Sequence, residues 1–114
     1  MVIHRGDIYL VDLCNAIGSE QGGVRPAIVV QNEVGNQFAP TTIVCPLTSK
    51  QKKNIVTHVL LTPGDCGIRE ESTVLCEQLR TVDKERLIKK IGEVHNIEKL
   101  QAINNKIIVS LGLA

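Results

Sequence analysis

A glycine-rich segment followed by an arginine is the feature of this sequence best suited to binding a phosphate. Gly18-Ser-Glu-Gln-Gly-Gly23 leads to Arg25, which begins an apolar run. The guanidinium of an arginine carries five donors in a rigid fork that can bind a phosphate through two hydrogen bonds at once. Backbone N–H groups of the glycines can face the same phosphate, although the Gly-Lys-Ser/Thr of a P-loop is absent. These residues fit a phosphate site and a solvent-exposed arginine beside a hairpin loop equally well.

Polar residues at the ends of two later apolar runs can serve the same chemistry. Thr48 can donate its hydroxyl to a phosphoryl oxygen, or it can cap a turn. Gln78 can bind the edge of a base, or it can add polarity to a sheet surface. It shares a face with Arg80 if both residues lie on one strand. A small positive patch, or simply a solvated loop, follows Thr48 at Lys50, Lys52 and Lys53.

The composition excludes several classes of function. Thirteen basic residues against twelve acidic ones give a formal net charge of +1, whereas a general polyanion binder needs a large positive field. Tyr9 and Phe38 are the only aromatic residues, and a sheet that stacks RNA bases needs several exposed rings. The histidines share no metal-ligand spacing, so we expect no metal site, no cofactor and structural or surface roles for His4, His58 and His95.

The length and the cysteine spacing favour a single reduced domain. A chain of 114 residues is typical of one domain, which we place at residues 1–114. The four cysteines form no Cys-x-x-Cys pair, and Cys45 and Cys76 lie in apolar runs where a free thiol behaves as a small hydrophobic group. No apolar run approaches the ~18–20 residues of a membrane span, and the first residues lack the plan of a signal peptide. We therefore expect a cytoplasmic protein that contacts no membrane.

Short apolar runs between polar turns predict five strands, at residues 7–13, 25–32, 41–48, 57–62 and 73–82. Residues 14–24 and 32–40 contain glycines and are predicted as loops. Pro46 inside the third run predicts an edge strand or a bulge, because proline lacks the N–H that a ladder needs. Asp83 can cap a single turn, and residues 86–94 fit a last strand interrupted at Gly92.

The C-terminal residues carry the clearest helical pattern. Asn96 fits the N-cap and Gly112 fits the end of the helix. Apolar residues between them recur at three- and four-residue steps, at Ile97, Leu100, Ile103, Ile107 and Leu111. Short strands with one terminal amphipathic helix predict a mainly β protein, a small and largely antiparallel β-barrel or curled sheet with the helix packed outside it.

Four motifs follow one another along nearly the whole chain. They are Arg5-Gly-Asp-Ile-Tyr9, Gly18-Ser-Glu-Gln-Gly-Gly-Val-Arg-Pro-Ala-Ile-Val-Val-Gln-Asn32, Pro46-Leu-Thr-Ser49 and Glu77-Gln-Leu-Arg-Thr81. In this order, and in a chain of this length, they resemble the MazF/PemK family of toxin endoribonucleases. The second motif, with its Gly-Ser-Glu-Gln-x-Gly-x-Arg-Pro pattern, is the most distinctive of the four.

The resemblance implies a fold, an activity and a set of site residues. The fold is a small SH3-like antiparallel β-barrel of the CcdB/MazF type with a C-terminal helix, acting as a homodimer. The activity is sequence-selective, metal-independent cleavage of single-stranded RNA by the toxin of a type II toxin–antitoxin system. A cognate MazE-like antitoxin would cover the RNA groove. The catalytic residues by this resemblance are Arg25 and Thr48, with Glu20 in support, and we expect RNA contacts from Ser19, Gln21, Gln78 and Lys50.

These residue types are consistent with RNA cleavage that needs no metal. The 2′-hydroxyl beside the scissile phosphate is the nucleophile, so the products carry 2′,3′-cyclic phosphate and 5′-hydroxyl ends. Arg25 would stabilise the charge of the transition state, and Thr48 would add a hydrogen bond to a non-bridging oxygen. Arginine, with its ordinary pKa above ~12, is a poor general base. Glu20 is the best-placed conventional base, provided that its loop closes over the substrate; the sequence leaves open which group transfers each proton.

Two other functions are compatible with such a fold. One is a CcdB-like toxin without enzymatic activity that binds a protein target such as gyrase. The other is an SH3-like adaptor whose polar groove binds peptides. Arg25 and Thr48 together favour the nuclease, because a pure binding protein has no need of a phosphate-binding cation beside a hydroxyl.

Overall fold

Seven strands pair in one antiparallel sheet in the computed structural model, which describes residues 1–50 and 55–114. The strands are β1 (Asp7–Asp12), β2 (Val24–Val29), β3 (Thr41–Thr48), β4 (His58–Leu61), β5 (Ser72–Leu75), β6 (Arg80–Asp83) and β7 (Leu87–Glu93). The helices are α1 (Glu33–Phe38), α2 (Pro63–Cys66) and α3 (Ile97–Ser110), and two 3₁₀ turns cover Cys76–Gln78 and Lys84–Arg86. Neighbours along the sheet run β4, β5, β3, β2, β1 and β7, and β6 also pairs with β3.

The predicted class, a mainly β protein with a C-terminal helix, is confirmed, but the sheet is open. Its two end strands, β4 and β7, do not pair with each other within the described residues. One side of β3 pairs with β2, and the other side is shared by β6 at residues 41–44 and β5 at residues 47–48. The molecule measures 34 × 32 × 32 Å, so the sheet curls towards a barrel without closing.

β3 lies in the interior of the sheet, so the edge position predicted from Pro46 is wrong. Pro46 pairs with Ala27 of β2. On the opposite side of β3, the pairing with β6 ends at Val44 and the pairing with β5 begins at Leu47. Pro46 therefore falls where β3 changes partner, a position at which the donor that proline lacks is not needed for a continuous ladder.

The single strand predicted at residues 73–82 is interrupted. The 3₁₀ turn Cys76–Gln78 separates β5 from β6, which lets one continuous run of sequence pair with two parts of β3. The alternation that would set Gln78 and Arg80 on one strand face therefore does not apply. Gln78 ends the turn, and its side chain is hydrogen-bonded to the loop between β1 and β2.

The loop predicted at residues 32–40 contains a helix, α1. Asn32 caps this helix, and its Oδ1 accepts a hydrogen bond from the N–H of Gly35 at 2.7 Å. A β-carbon on Gly35 would lie 2.8 Å from the side-chain nitrogen of Gln31. The glycine therefore permits close packing inside a helix, whereas in the sequence it suggests a loop. The single turn predicted after Asp83 is confirmed by a bond from the N–H of Glu85 to the Asp83 Oδ1 at 2.9 Å.

Two hydrophobic clusters lie on opposite faces of the central strands. Successive residues alternate between them, so that Ile8 belongs to one and Tyr9 to the other. α3 covers the first cluster with Ile103, which is 1% exposed. Asn96 caps this helix as predicted, with its Oδ1 2.9 Å from the N–H of Glu98. Ile97 at the start of the helix is exposed, so the apolar pattern extends beyond the buried face.

The cysteines predicted to be small hydrophobic groups are buried. Cys45 and Cys76 are both fully enclosed in the first cluster, and all four cysteines are free thiols. A hydrogen bond between the thiols of Cys45 and Cys76, together with burial, raises the pKa of the Cys45 thiol well above its ordinary value. This thiol therefore stays protonated at neutral pH and acts through its packing.

Each histidine lies beside a glutamate. The nitrogen–oxygen distances are 3.4 Å for His4 and Glu33, 3.1 Å for His58 and Glu77, and 3.2 Å for His95 and Glu93. Residues 1–50 and 55–114 contain no group of three or more histidine, cysteine, aspartate or glutamate residues placed to hold a metal ion. Among the described helices, none is long and apolar enough to cross a membrane.

Gly92 marks a close backbone approach between β7 and the end of α2. A β-carbon at this position would lie 2.4 Å from the backbone oxygen of Cys66, which cannot move without shifting α2. We therefore expect Gly92→Ala to lower the free energy of unfolding by roughly 1–3 kcal/mol, measured by urea denaturation. Gly64→Ala is the matched control, because a β-carbon there would meet nothing closer than 3.8 Å. Equal denaturation midpoints for the two variants would contradict the close approach.

Candidate functional site

The strand register brings Arg25 and Thr48 to the same place in the sheet. β2 and β3 pair antiparallel with Ala27 opposite Pro46. The pairing of the two strands ends at this position, and Arg25 and Thr48 each lie two residues beyond it on their own strands. The two residues that the sequence motifs single out therefore lie near the same end of the β2–β3 pairing.

Both residues line a cleft of about 670 Å³. This volume lies in the range of about 300–1,000 Å³ typical of ligand sites. Residues of β1, β2 and β3 line one part of it, and the segment that joins α2 to β5 lines another. That segment contributes Gly67, Ile68, Arg69 and Glu70, and Ser72 comes from the start of β5. We refer to this space as the arginine cleft.

The guanidinium of Arg25 is oriented by the loop that precedes it. Its Nε–H donates to the backbone oxygen of Gly22 at 2.7 Å, and the side chain is half-buried. Within the described residues, the two terminal nitrogens make no hydrogen bond or ion pair. They are the nitrogens that form a two-point contact with a phosphate. Arg25 is thus held at one end and open to a ligand at the other.

Thr48 presents a buried hydroxyl whose proton is free to donate. The residue is 3% exposed, and its Oγ1 accepts a hydrogen bond from the N–H of Lys50 at 3.3 Å. Because the oxygen is the acceptor in this contact, the hydroxyl proton can point to an oxygen in the cleft. Lys50 itself is exposed, whereas Lys52 and Lys53 of the predicted patch lie outside the described residues.

Apart from Lys50, the other residues expected at the site line a second hollow, of about 480 Å³. We call it the glutamine hollow, because Gln21 and Gln78 both line it. It also contains Ser19 and Glu20 from the loop between β1 and β2, together with Asn15, Pro46, Glu77, Leu79 and Arg80. The loop thus lies against both spaces, because the next residues, Gly22 and Gly23, line the arginine cleft.

Glu20 is not in the arginine cleft. Its side chain is exposed, and Oε1 accepts a hydrogen bond from the N–H of Ile17 at 3.1 Å, which closes a turn in the loop. The carboxylate would have to give up this bond and move with the loop to reach a substrate held between Arg25 and Thr48. The structure therefore brings the predicted pair together and leaves the predicted supporting residue at a distance from it.

Gln21 holds an unpaired acceptor in the glutamine hollow. Its side-chain Oε1 is buried and has no hydrogen-bond partner among the residues that the structure describes. A buried acceptor without a partner costs roughly 1–3 kcal/mol. A donor on a ligand bound in the hollow would remove this cost, which fits the RNA contact expected at Gln21.

Two arginines that are not among the predicted site residues donate hydrogen bonds at the start of the loop between β1 and β2. Arg80 donates to the backbone oxygen of Leu13 at 3.1 Å, and Arg86 donates to the backbone oxygen of Asp12 at 3.2 Å. These contacts join residues 67 and 74 positions apart, so no local pattern could indicate them. Arg69 of the arginine cleft was also missed, because it lies in a loop without a recognisable motif.

The chain matches the model of a known protein family over most of its length. The match covers residues 4–111, and the family is described as the PemK-like, MazF-like toxin of type II toxin–antitoxin systems. The chain belongs to this family. The resemblance that the four sequence motifs indicate is thereby confirmed.

Individual members of the PemK/MazF family agree with this assignment over the full length of the chain. The chain is 43% identical to the endoribonuclease EndoA of Bacillus subtilis, over 99% of this chain and 97% of that protein. A crystal structure of MazF from Deinococcus radiodurans matches with a TM-score of 0.82 and 27% identity, covering 98% of both chains. A MazE–MazF crystal structure from the same organism matches with a TM-score of 0.77 and 27% identity, covering 100% of this chain and 99% of that one.

Proposed function

We propose that this endoribonuclease of the PemK/MazF family cleaves single-stranded RNA in the arginine cleft, with Arg25 and Thr48 as its catalytic pair. The observation that carries this proposal is the arginine cleft, which is lined by a buried hydroxyl and by a guanidinium whose terminal nitrogens have no partner among the described residues. Full-length similarity to proteins named as endoribonucleases favours this function over the gyrase-binding and peptide-binding alternatives.

The nucleophile belongs to the substrate. The 2′-hydroxyl attacks the neighbouring phosphorus, a P–O bond forms, and the bond to the 5′-oxygen of the next nucleotide breaks. The products are a 2′,3′-cyclic phosphate and a 5′-hydroxyl. The attack builds negative charge on the two non-bridging oxygens. Fixed hydrogen-bond donors aimed at such oxygens are usually the largest single contribution to catalysis.

Arg25 supplies the main charge stabilisation in this proposal. Its bond to Gly22 fixes Nε, so the terminal nitrogens meet the phosphate with little loss of side-chain freedom. Thr48 donates its hydroxyl proton to one non-bridging oxygen while its Oγ1 keeps the bond from Lys50. Neither role requires a metal, because RNA carries its own nucleophile.

The proton that leaves the 2′-hydroxyl needs an acceptor, for which we propose Glu20, and the departing 5′-oxygen takes its proton from a water molecule. To serve, its carboxylate exchanges the bond from Ile17 for one from the substrate as the loop moves over the cleft. Ser19, Gln21 and Lys50 are the proposed RNA contacts, and the arginine cleft and the glutamine hollow, on either side of the loop, can hold successive nucleotides.

The toxin–antitoxin assignment implies protein partners. We propose that a MazE-like antitoxin binds this chain, as in the MazE–MazF structure of Deinococcus radiodurans, and inhibits it by covering the arginine cleft. An extended acidic segment would complement Arg25 and Arg69, which both line that cleft. We further propose that residues 1–114 act as one domain, that two copies form a homodimer, and that the enzyme works in the cytoplasm.

Cleavage in EDTA tests the proposed chemistry. We expect discrete cuts in a single-stranded RNA with 2′,3′-cyclic phosphate ends, at a rate that EDTA does not change. A DNA strand of the same sequence should remain intact, because it lacks the attacking hydroxyl. Cleavage of the DNA at a similar rate, or loss of RNA cleavage on chelation, would contradict this mechanism.

A further inference from the structure

Gln78 uses both polar groups of its side chain to hold the loop between β1 and β2. Its Oε1 accepts a hydrogen bond from the N–H of Gln21 at 2.8 Å, and its Nε2 donates to the backbone oxygen of Ser19 at 3.1 Å. The partners lie 57 and 59 residues away in the chain. The amide of one side chain thus replaces the pairing that a neighbouring strand would give this loop.

The backbone of this loop connects Gln78 to Arg25. Gly22 directly follows the residue that Gln78 binds, and its backbone oxygen accepts from the Arg25 Nε–H at 2.7 Å. The loop is also closely packed here, because a β-carbon on Gly22 would lie 2.7 Å from that of Ala16. A bond between the N–H of Gly23 and the oxygen of Cys14, at 2.7 Å, closes the loop below it. Gly22 therefore cannot move independently of the residues beside it.

We propose that Gln78 is a positioning residue for RNA cleavage, which orients the guanidinium of Arg25 through the loop backbone. This inference rests on the proposed catalytic role of Arg25. It differs from the expected RNA contact, because both polar groups of the Gln78 amide are committed to the protein before RNA binds. Removing the side-chain amide releases the loop, lets Arg25 leave its productive orientation, and slows the chemical step while RNA binding is retained.

Gln78→Met tests the proposal, since methionine has a similar length and neither of the two hydrogen-bonding groups. We expect the hydrogen exchange of the Arg25 Nε–H, followed by ¹⁵N NMR without RNA, to become about tenfold faster. We expect kcat to fall by about tenfold and KM to change by less than about twofold. Gln101→Met is the matched control on an exposed position of α3, and should leave exchange, kcat and KM unchanged.

Gln78→Glu is a second variant that tests the same proposal if Gln78→Met does not fold. A glutamate retains the acceptor for the N–H of Gln21 and loses the donor for the oxygen of Ser19, so both effects should be smaller than for methionine. An unchanged exchange rate of the Arg25 Nε–H in either folded variant would overturn the proposal. A raised KM with an unchanged kcat would also overturn it, because that result describes a direct RNA contact.

A double variant separates this proposal from the proposed function. If Gln78 acts through Arg25, adding Gln78→Met to Arg25→Ala should not lower the residual rate further. A further tenfold loss in that background would overturn the positioning role while leaving the catalytic role of Arg25 intact. Full activity of Arg25→Ala alone would instead overturn the proposed catalytic role of Arg25, on which the positioning role of Gln78 rests.

Discussion

Arg25→Ala should lower the rate of RNA cleavage by at least about 100-fold while the protein stays folded. One preorganised donor to a transition-state oxygen typically contributes a factor of about 10²–10³, and Arg25 has two free nitrogens to offer. The side chain is half-buried at the arginine cleft and belongs to neither hydrophobic cluster, so its loss removes no core packing. Initial rates on a labelled single-stranded RNA, with circular dichroism of the same sample, measure both expectations.

Arg69→Ala is the matched control for this experiment. It removes one positive charge from the same cleft, but from the exposed segment between α2 and β5 and not from the strand that faces Thr48. We expect a loss below about tenfold, because an exposed charge acts on RNA mainly through screened attraction. Equal losses in the two variants would reduce Arg25 to a general electrostatic contact. Unfolding of Arg25→Ala would assign it a structural role.

The sequence predicts those parts of the fold whose cause is local. β3 has the predicted limits, residues 41–48, because its β-forming residues lie between Pro40 and the polar residues that begin at Ser49. α3 likewise begins after Asn96, whose side chain caps the helix whatever else the chain does. In both cases the deciding interactions lie within a few residues along the sequence.

The missed features depend on distant partners. The composition of residues 73–82 predicts one strand. A 3₁₀ turn at Cys76–Gln78 interrupts it, because its two parts pair with separate stretches of β3. The same change of partner explains how Pro46 occupies an interior strand. The open ends of the sheet at β4 and β7 also follow from tertiary pairing, which strand propensity does not determine.

The candidate site divides along the same line. Arg25 and Thr48 lie on neighbouring strands, near the end of the pairing between them, and both line the arginine cleft. Glu20 and Gln78 lie on a loop and on a 3₁₀ turn, and their contacts with Ile17, Gln21 and Ser19 depend on how those segments meet. Residue types can therefore indicate which side chains belong to the candidate site. They do not indicate that some of these side chains line the arginine cleft and others the glutamine hollow.

Ile103→Asp should lower the free energy of unfolding by at least about 4 kcal/mol, a large share of the stability of a small domain. Ile103 is 1% exposed, and it packs in the cluster that joins α3 to the sheet. The substitution removes a large apolar group and buries a carboxylate with no partner of opposite charge in that cluster. Together these changes cost at least about 4 kcal/mol, against a total stability of about 5–15 kcal/mol for a domain. Circular dichroism and size-exclusion chromatography of the variant measure the loss of structure.

Ile97→Asp separates the burial of Ile103 from the chemical nature of the change. Ile97 belongs to the same helix and the same apolar pattern, but it is 69% exposed and lies in the first turn, where a carboxylate favours the helix dipole. We therefore expect this variant to keep its native dichroism and a midpoint within a few degrees of the wild type. The opposite ranking, with Ile103→Asp native and Ile97→Asp unfolded, would mean that α3 packs on a different face.

Because α3 also contacts the 3₁₀ turn Cys76–Gln78, partial loss of its packing should loosen Gln78 as well. Destabilised variants such as Ile103→Ala should then lose RNA cleavage activity at temperatures below those at which they unfold.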